Sequence, residues 1–332
     1  METILIEVST AIIRTSHDRI DCAVVEQLNA ATKTTSTSVE SMGLIGYGGI
    51  LGIGINLYVM YGVVKTNAFG ASFGRLCLSQ AVANCANEMV FGILVTVITL
   101  IDPSFHASYW GARTGQFLIF FWYGGLFTNV FATLNRLCCI LKPTKYSIYF
   151  DKTNTNIFIA ISWFIGFLQA LPYFHYDCTL YFDVKVMSYQ FRETPCLPYI
   201  ALYLNYYFNI SVVAILFSAN VFILYKIINM TNSVDNTEGK KKKRARDMRF
   251  FMQTFFQAAG VVVELTSYFF ISKMVNSKWV KFCLTTFAWI ILQMWDGIIV
   301  IAFNKELRAV KLKAVVGSTV IPAASQAKTA PD

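Results

Sequence analysis

Seven stretches of this chain are apolar for about twenty residues or more, the length an α-helix needs to cross a hydrocarbon core about 30 Å thick. They cover residues 43–64, 76–101, 112–141, 155–174, 199–228, 248–274 and 280–303. Backbone in lipid must satisfy its own N–H and C=O groups, so each stretch is expected to be helical; a β-barrel would show segments of about ten alternating residues instead. Charge agrees with burial in lipid. Only 14% of the residues are charged and mean hydropathy is +0.51, where a soluble protein carries about a quarter charged residues. The expected fold is an all-α membrane protein, a seven-transmembrane helix bundle at 43–303, with a polar N-terminal segment at 1–42 and a tail at 304–332. No repeat of fixed period is visible.

The segment before Gly43 is rich in Ser and Thr from Thr32 to Ser38, and its early apolar cluster, Ile4 to Val8, is interrupted by Glu7. That makes a poor secretory signal, which leaves the first span as the insertion signal. Orientation then follows from the basic residues. With the N-terminus outside, 19 of the 28 Lys and Arg fall in inner segments and 9 on the other side, so the N-terminus is expected outside and the C-terminus inside. The net charge of +9 mainly reflects this topology and contact with anionic membrane lipids. Nucleic-acid binding is not expected, because no aromatic or glycine motif accompanies the basic run.

Several chemistries find no support. His17, His106 and His175 are too far apart for a paired-imidazole metal motif, and no nucleophile, base and stabiliser can be grouped; no metal, cofactor or enzymatic activity is expected. A retinal Schiff base needs a lysine inside the seventh span, and none lies between Lys281 and Lys305. The glycine string Gly46, Gly48, Gly49, Gly52 and Gly54 lies in an apolar span with no strand before it and no Lys-Ser/Thr after it, so close helix packing through Gly48 and Gly52 is a better reading than a nucleotide loop.

Cys178 and Cys196 both fall between the fourth and fifth spans, on the side expected to be oxidising. A disulfide between them is the leading pairing. Cys22 and Cys283 are near the same side, so other connectivities stay open.

Polar groups inside membrane helices are costly and usually face the bundle interior. At 1.5 Å per residue, Asn56, Asn84 and Asp296 fall at one depth above the inner boundary and, with Asn304 at the end of the seventh span, are candidates for a polar network. Such a network either only holds helices together or repacks between states. Glu88 and Glu264 lie further out and are candidates for ligand binding, joined by Asn205, Asn209 and Tyr123; neutral, hydrogen-bonded carboxyls are the competing reading. Asn135 and Arg136 end the third span, with Lys142 in the next loop and Arg246 in the basic run Lys240–Arg246. A membrane-edge anchor and a contact for a cytoplasmic partner are both open for Arg136. After the seventh span, Leu307, Val310 and Ala314 share a helical face opposed by Arg308, Lys311 and Lys313, the pattern of a short amphipathic helix on the inner surface. From Gly317 the tail is small and polar.

Local motifs carry a resemblance as well. Asn67-Ala68-Phe69-Gly70, the run Leu76 to Ala81, Leu134-Asn135-Arg136, Leu171-Pro172-Tyr173-Phe174, Cys178 to Asp183 with Thr194-Pro195-Cys196, Phe250 to Gln253, Asn276 to Trp279, Thr285 to Trp289, Asp296-Gly297 and Phe303 to Glu306 together resemble the nematode serpentine chemoreceptors of class X, Srx. The likeness covers Gly43 to Arg308. It implies a G-protein-coupled receptor for environmental chemicals, binding an extracellular small molecule and a heterotrimeric G protein, in the plasma membrane and, by the same resemblance, the sensory-neuron cilium. Asn135, Arg136, Lys142 and Arg246 would then serve G-protein coupling. Departures are Thr128-Asn129 where Ser-His is common, Leu137 where an aromatic is usual, and a sixth span without proline. Asn84 on the second span and Asp296 on the seventh look like a swapped version of the usual acid and amide pair. The rival reading is a small polytopic transporter or channel, whose signatures would be inverted repeats or paired Gly/Pro breaks, and neither is visible.

Overall fold

All seven apolar stretches are helical in the computed structural model, which describes residues 39–66, 69–232 and 238–309. They are α1 (Val39–Thr66), α2 (Ala71–Ile101), α3 (Arg113–Leu141), α4 (Lys152–Phe174), α5 (Pro198–Asn229), α6 and α7 (Lys278–Phe303). α6 crosses as Phe251–Met274, but its helix begins earlier, at Glu238, so the basic run Lys240–Arg246 continues the helix rather than forming a loop. Length and composition suit all seven for crossing a membrane.

Helix ends follow local chemistry. Asp151 caps α4 by accepting from the Asn154 N–H at 2.6 Å, Pro172 sits in the 3-10 turn that closes it, and Pro198 opens α5, where a missing N–H costs nothing. Gly70, at φ 71°, makes the turn into α2 in a region other residues avoid.

α2, α3 and α7 form the centre. Their most apolar windows are 56%, 50% and 50% buried, against 22% for α4 and α5. On α1 the residues Ile50, Leu57 and Val64 are exposed at heptad spacing, a face suited to lipid. Gly48, Gly49 and Gly52 face inward, although not through one shared surface as the Gly48 and Gly52 spacing suggests. A Cβ on Gly48 would lie 2.9 Å from Ile290 of α7, whereas one on Gly49 would lie 2.4 Å from the Gly92 Cα, and one on Gly52 2.4 Å from the Glu88 carboxyl, both in α2. α1 thus wedges between two neighbours.

Among the described residues four helices carry π-helical turns: Val90–Val95 in α2, Pro198–Tyr207 in α5, Ser267–Ile271 in α6 and Cys283–Phe287 in α7. All lie toward one end, beside the only sheet among the described residues. That sheet is a hairpin of β1 (Leu180–Asp183) and β2 (Ser188–Phe191), paired Leu180 to Phe191 through Asp183 to Ser188. The Cys178–Cys196 disulfide clamps its base. Cys283 is free and Cys22 lies outside the described residues.

After α7, residues 305–309 are helical. Leu307 is fully buried against α1, its carbonyl accepting from the Tyr58 hydroxyl at 2.7 Å. Val310 and Ala314, the rest of the expected apolar face, lie outside the described residues.

Candidate functional site

The hairpin lies inward over the helix ends. A Cβ on Gly115 of α3 would come within 2.1 Å of the Leu180 carbonyl oxygen, so only glycine admits β1 this close. The Tyr189 hydroxyl donates to Thr114 on α3 at 3.0 Å, and the Tyr268 hydroxyl on α6 donates to the Tyr189 carbonyl at 2.8 Å. In front of the hairpin, the turn Pro103–Ala107 is capped by Asp102. Its His106 is buried against Phe182, rings 5.1 Å apart, and shares a 2.8 Å hydrogen bond with Thr99. Burial holds the His106 imidazole below its ordinary pKa, and hydrogen bonds from Ser104 hold the Asp102 carboxyl below its own.

Under the hairpin is a cavity with about 380 Å³ of space between its walls. Leu180 and Phe191, the pair at the base of the hairpin, form its roof; Ile119 and Trp122 of α3 and Trp289 of α7 supply one side. Asn205 of α5 and Glu264, Leu265, Tyr268 and Phe269 of α6 supply the other. A second layer holds the walls. The Trp122 indole N–H donates to Asn209 at 2.8 Å, Asn209 donates to the Tyr123 hydroxyl at 3.0 Å, Tyr123 donates to the Leu204 carbonyl at 2.7 Å, and Asn205 donates to the Tyr173 hydroxyl.

The expected ligand residues are therefore divided. Glu264 and Asn205 line the cavity, while Tyr123 and Asn209 stand behind it. Glu88 is elsewhere, fully buried in the recess that Gly52 leaves on α1. Tyr203 and Tyr207 are exposed on the outer face of α5. Spacing and charge do not single out Leu180, Phe191 or Trp289, because what brings them together is the inward fold of a loop.

Deeper in the bundle the walls change from rings to amides. Asn84 donates to Asp296 at 3.4 Å across the α2–α7 interface, Gln80 donates to Asn84 at 3.0 Å, and Asn56 donates to the Gly52 and Gln293 carbonyls at 3.0 and 3.4 Å. Asn304 donates to Gln253 at 3.4 Å and to the Val300 carbonyl at 2.6 Å, which joins it to this layer from the end of α7. Gln80, Gln253, Gln257 and Gln293 enlarge the group beyond the four expected residues. Amides one turn apart, as in Gln80/Asn84 and Gln253/Gln257, are the sequence signal for them.

Two further cavities follow this layer. One, about 340 Å³, shares Trp122 with the hairpin cavity and Asn84, Asn129 and Asp296 with the next. The last, about 430 Å³, reaches Arg136. The Arg136 guanidinium lies 4.5 Å over the Phe73 ring and donates to Thr254 of α6 at 3.1 Å, and Thr254 donates to Asn220 of α5 at 2.9 Å. Asn135 donates to the Tyr146 hydroxyl at 3.1 Å. Burial raises the Tyr146 pKa. Arg75 donates to the Lys152 carbonyl and to Asn156 at 3.0 and 3.1 Å, so the loop carrying exposed Lys142 is tied at Tyr146 and again at the start of α4. Arg246 lies in the helical extension of α6.

Among the described residues no group of three or more His, Cys, Asp or Glu is placed to hold a metal. The family profile described as serpentine type 7TM GPCR chemoreceptor Srx matches residues 48–304. Serpentine receptor class X 45 of Caenorhabditis elegans is 25% identical over 285 residues, covering 80% of this chain and 79% of that protein. Serpentine receptor class X-43 of the same organism is 22% identical over 278 residues, covering 78% and 82%. In the solved structures, squid rhodopsin superposes with a TM-score of 0.68 at 15% identity, over 86% of this chain and 87% of that one, a likeness of fold.

Proposed function

This chain belongs to the Srx family of serpentine seven-transmembrane G-protein-coupled chemoreceptors, and from that premise we propose that it detects a small molecule at its hairpin end and activates a heterotrimeric G protein at the other. The observation that carries this reading is the run of three cavities with shared walls, from the hairpin roof to Arg136. A ligand that fits one arrangement of the aromatic walls better than another shifts the population toward that arrangement by its differential affinity. The amide layer can follow, because Asn56, Gln80 and Asp296 each keep a buried side-chain oxygen with no hydrogen-bond partner among the described residues. At the far end Arg136 ties α3 to α5 and α6 through Thr254 and Asn220. A shift of α6 breaks that tie and frees Arg136 to join Asn135, Lys142 and Arg246 in meeting the G protein.

This reading places the hairpin and the N-terminus outside and the basic end in the cytoplasm, with the protein in the plasma membrane of sensory neurons and their cilia. Lys240–Arg246, helical and continuous with α6, meets anionic lipid first and the partner second. Expression with a promiscuous G protein and a panel of metabolites and volatiles, read by calcium release, tests it. At least one compound should elicit a response, and Arg136→Ala should abolish that response at unchanged surface expression. Solute flux with no guanine-nucleotide exchange would instead show a transporter or channel.

A further inference from the structure

Building on the receptor reading, we propose that the hairpin-end cavity takes a small lipophilic organic cation, a protonated amine or methylated ammonium with an apolar body. Glu264 lines this cavity, is 6% exposed, and forms no ion pair or hydrogen bond among the described residues. The hydroxyl of Tyr268, one turn along α6, is already committed to the Tyr189 carbonyl. Around Glu264 stand the rings of Trp122, Phe191, Tyr268, Phe269 and Trp289. Ring faces attract a cation by their quadrupole, most strongly where water is excluded.

The other ligand classes fit less well. Among the described residues no Lys, Arg or His lines the cavity, so an anion would be placed beside a carboxylate with nothing there to neutralise it. A purely apolar ligand would seal a carboxyl group away from water without a partner, which is unfavourable and most so for a charged group. A cation gives Glu264 its counter-ion and the rings a charge to face. The roof adds a size limit. With Leu180 and Phe191 paired at the base of a hairpin clamped by Cys178–Cys196, the space beneath suits a compact ligand, one ring or a short branched chain.

The test uses the full-length chain in lipid nanodiscs with two probes of the same shape, benzyltrimethylammonium and its uncharged carbon isostere neopentylbenzene. Binding is read by quenching of tryptophan fluorescence, since Trp122 and Trp289 are in the walls. The cation should bind at least about tenfold more tightly than the isostere. Glu264→Gln should weaken the cation about tenfold or more and change the isostere less than about twofold. Equal affinity for the two probes, or an unchanged cation affinity in Glu264→Gln, overturns the proposal. Should Glu264→Gln not fold, the ratio of the two probes on the unaltered chain decides by itself. The receptor reading fails separately: cation binding without nucleotide exchange on any G protein leaves the site standing and removes the signalling. Signalling to uncharged compounds with no cation binding does the reverse.

Discussion

The cavity under the hairpin and the cavity beside Arg136 are of similar size, about 380 and 430 Å³, yet their walls have little in common. The first is built of rings, with one amide and one carboxylate. The second carries Asn56, Gln80, Asn84, Asn129, Gln253 and Asp296 in its walls, several of them bonded to one another. Rings offer a shaped surface with no preferred internal partner, which suits recognition of something from outside. Amides are donors and acceptors at once and can exchange partners at small cost, which suits a layer that changes state. The backbone differs in the same sense. π-helical turns, a frequent mark of functional sites, lie toward the hairpin end, and the stretches of α2 and α7 that carry Asn84 and Asp296 are regular α-helix.

The largest expected effect separates the two regions by removing the clamp on one of them. Cys178→Ser or Cys196→Ser opens a loop with a sequence separation of 18, worth about 3 kcal/mol in the chain-entropy account. Thermal unfolding in nanodiscs should start earlier, and hydrogen exchange in β1 and β2 should rise while the amides around Asn84 keep their protection. Equal loss of protection in both regions would mean that the hairpin and the amide layer form one cooperative unit.

Next in size is Gly115→Ala. The added methyl meets the Leu180 carbonyl oxygen, a backbone atom that has no flexible end to give way, so the hairpin must lift. The expected cost is about 1–3 kcal/mol, with lower affinity for any hairpin-end ligand and unchanged coupling once ligand is bound. If affinity holds and coupling drops, the roof acts on the amide layer rather than on the ligand.

A smaller effect probes the layer itself. In a double-mutant cycle, Asn84→Ala, Asp296→Asn and the pair should show a coupling energy of about 0.6 kcal/mol and no more than about 1.7, the range for interhelical hydrogen bonds in membranes. Ligand affinity should stay nearly constant while the maximal response falls. Additive effects on stability would show that the 3.4 Å contact carries little.

How far these regions are legible in the sequence follows from what positions them. Helix number and extent depend on apolar length, a property of consecutive residues, so α1 to α7 lie close to the expected stretches. The amide layer depends on depth, which the constant rise of a helix makes countable, and Asn56, Asn84 and Asp296 meet as that count implies. Facing is harder. Gly48 and Gly52 are four apart on one helix yet touch different neighbours, because α1 packs between α2 and α7. Glu88 and Glu264 share a depth and no cavity, since Gly52 offers Glu88 a recess on the opposite side. The aromatic site is the least legible, because Leu180 and Phe191 reach it from a loop whose path is set by a disulfide and by one glycine on α3.

The smallest effect concerns pH, and it too divides the regions. His106 packs between Thr99 of α2 and Phe182 of the hairpin, near the carboxylate of Asp102. Its folded pKa is held below the ordinary 6.5, chiefly by desolvation and despite the raising influences of the Val95 backbone and of Asp102. Between that lowered value and 6.5 the unfolded chain binds more protons than the folded one, so stability is fully present above about pH 6.5 and declines as pH falls through this window. Hydrogen exchange in β1 should therefore quicken from pH 7.5 to 5.5, corrected for intrinsic rate, with no change in the amide layer. His106→Gln, which keeps a group able to bond Thr99, should flatten the hairpin's pH dependence. If the unaltered chain and His106→Gln respond alike, some other group governs the acid sensitivity of the hairpin, and Asp102, whose pKa is held low by Ser104, is next to be tested through Asp102→Asn.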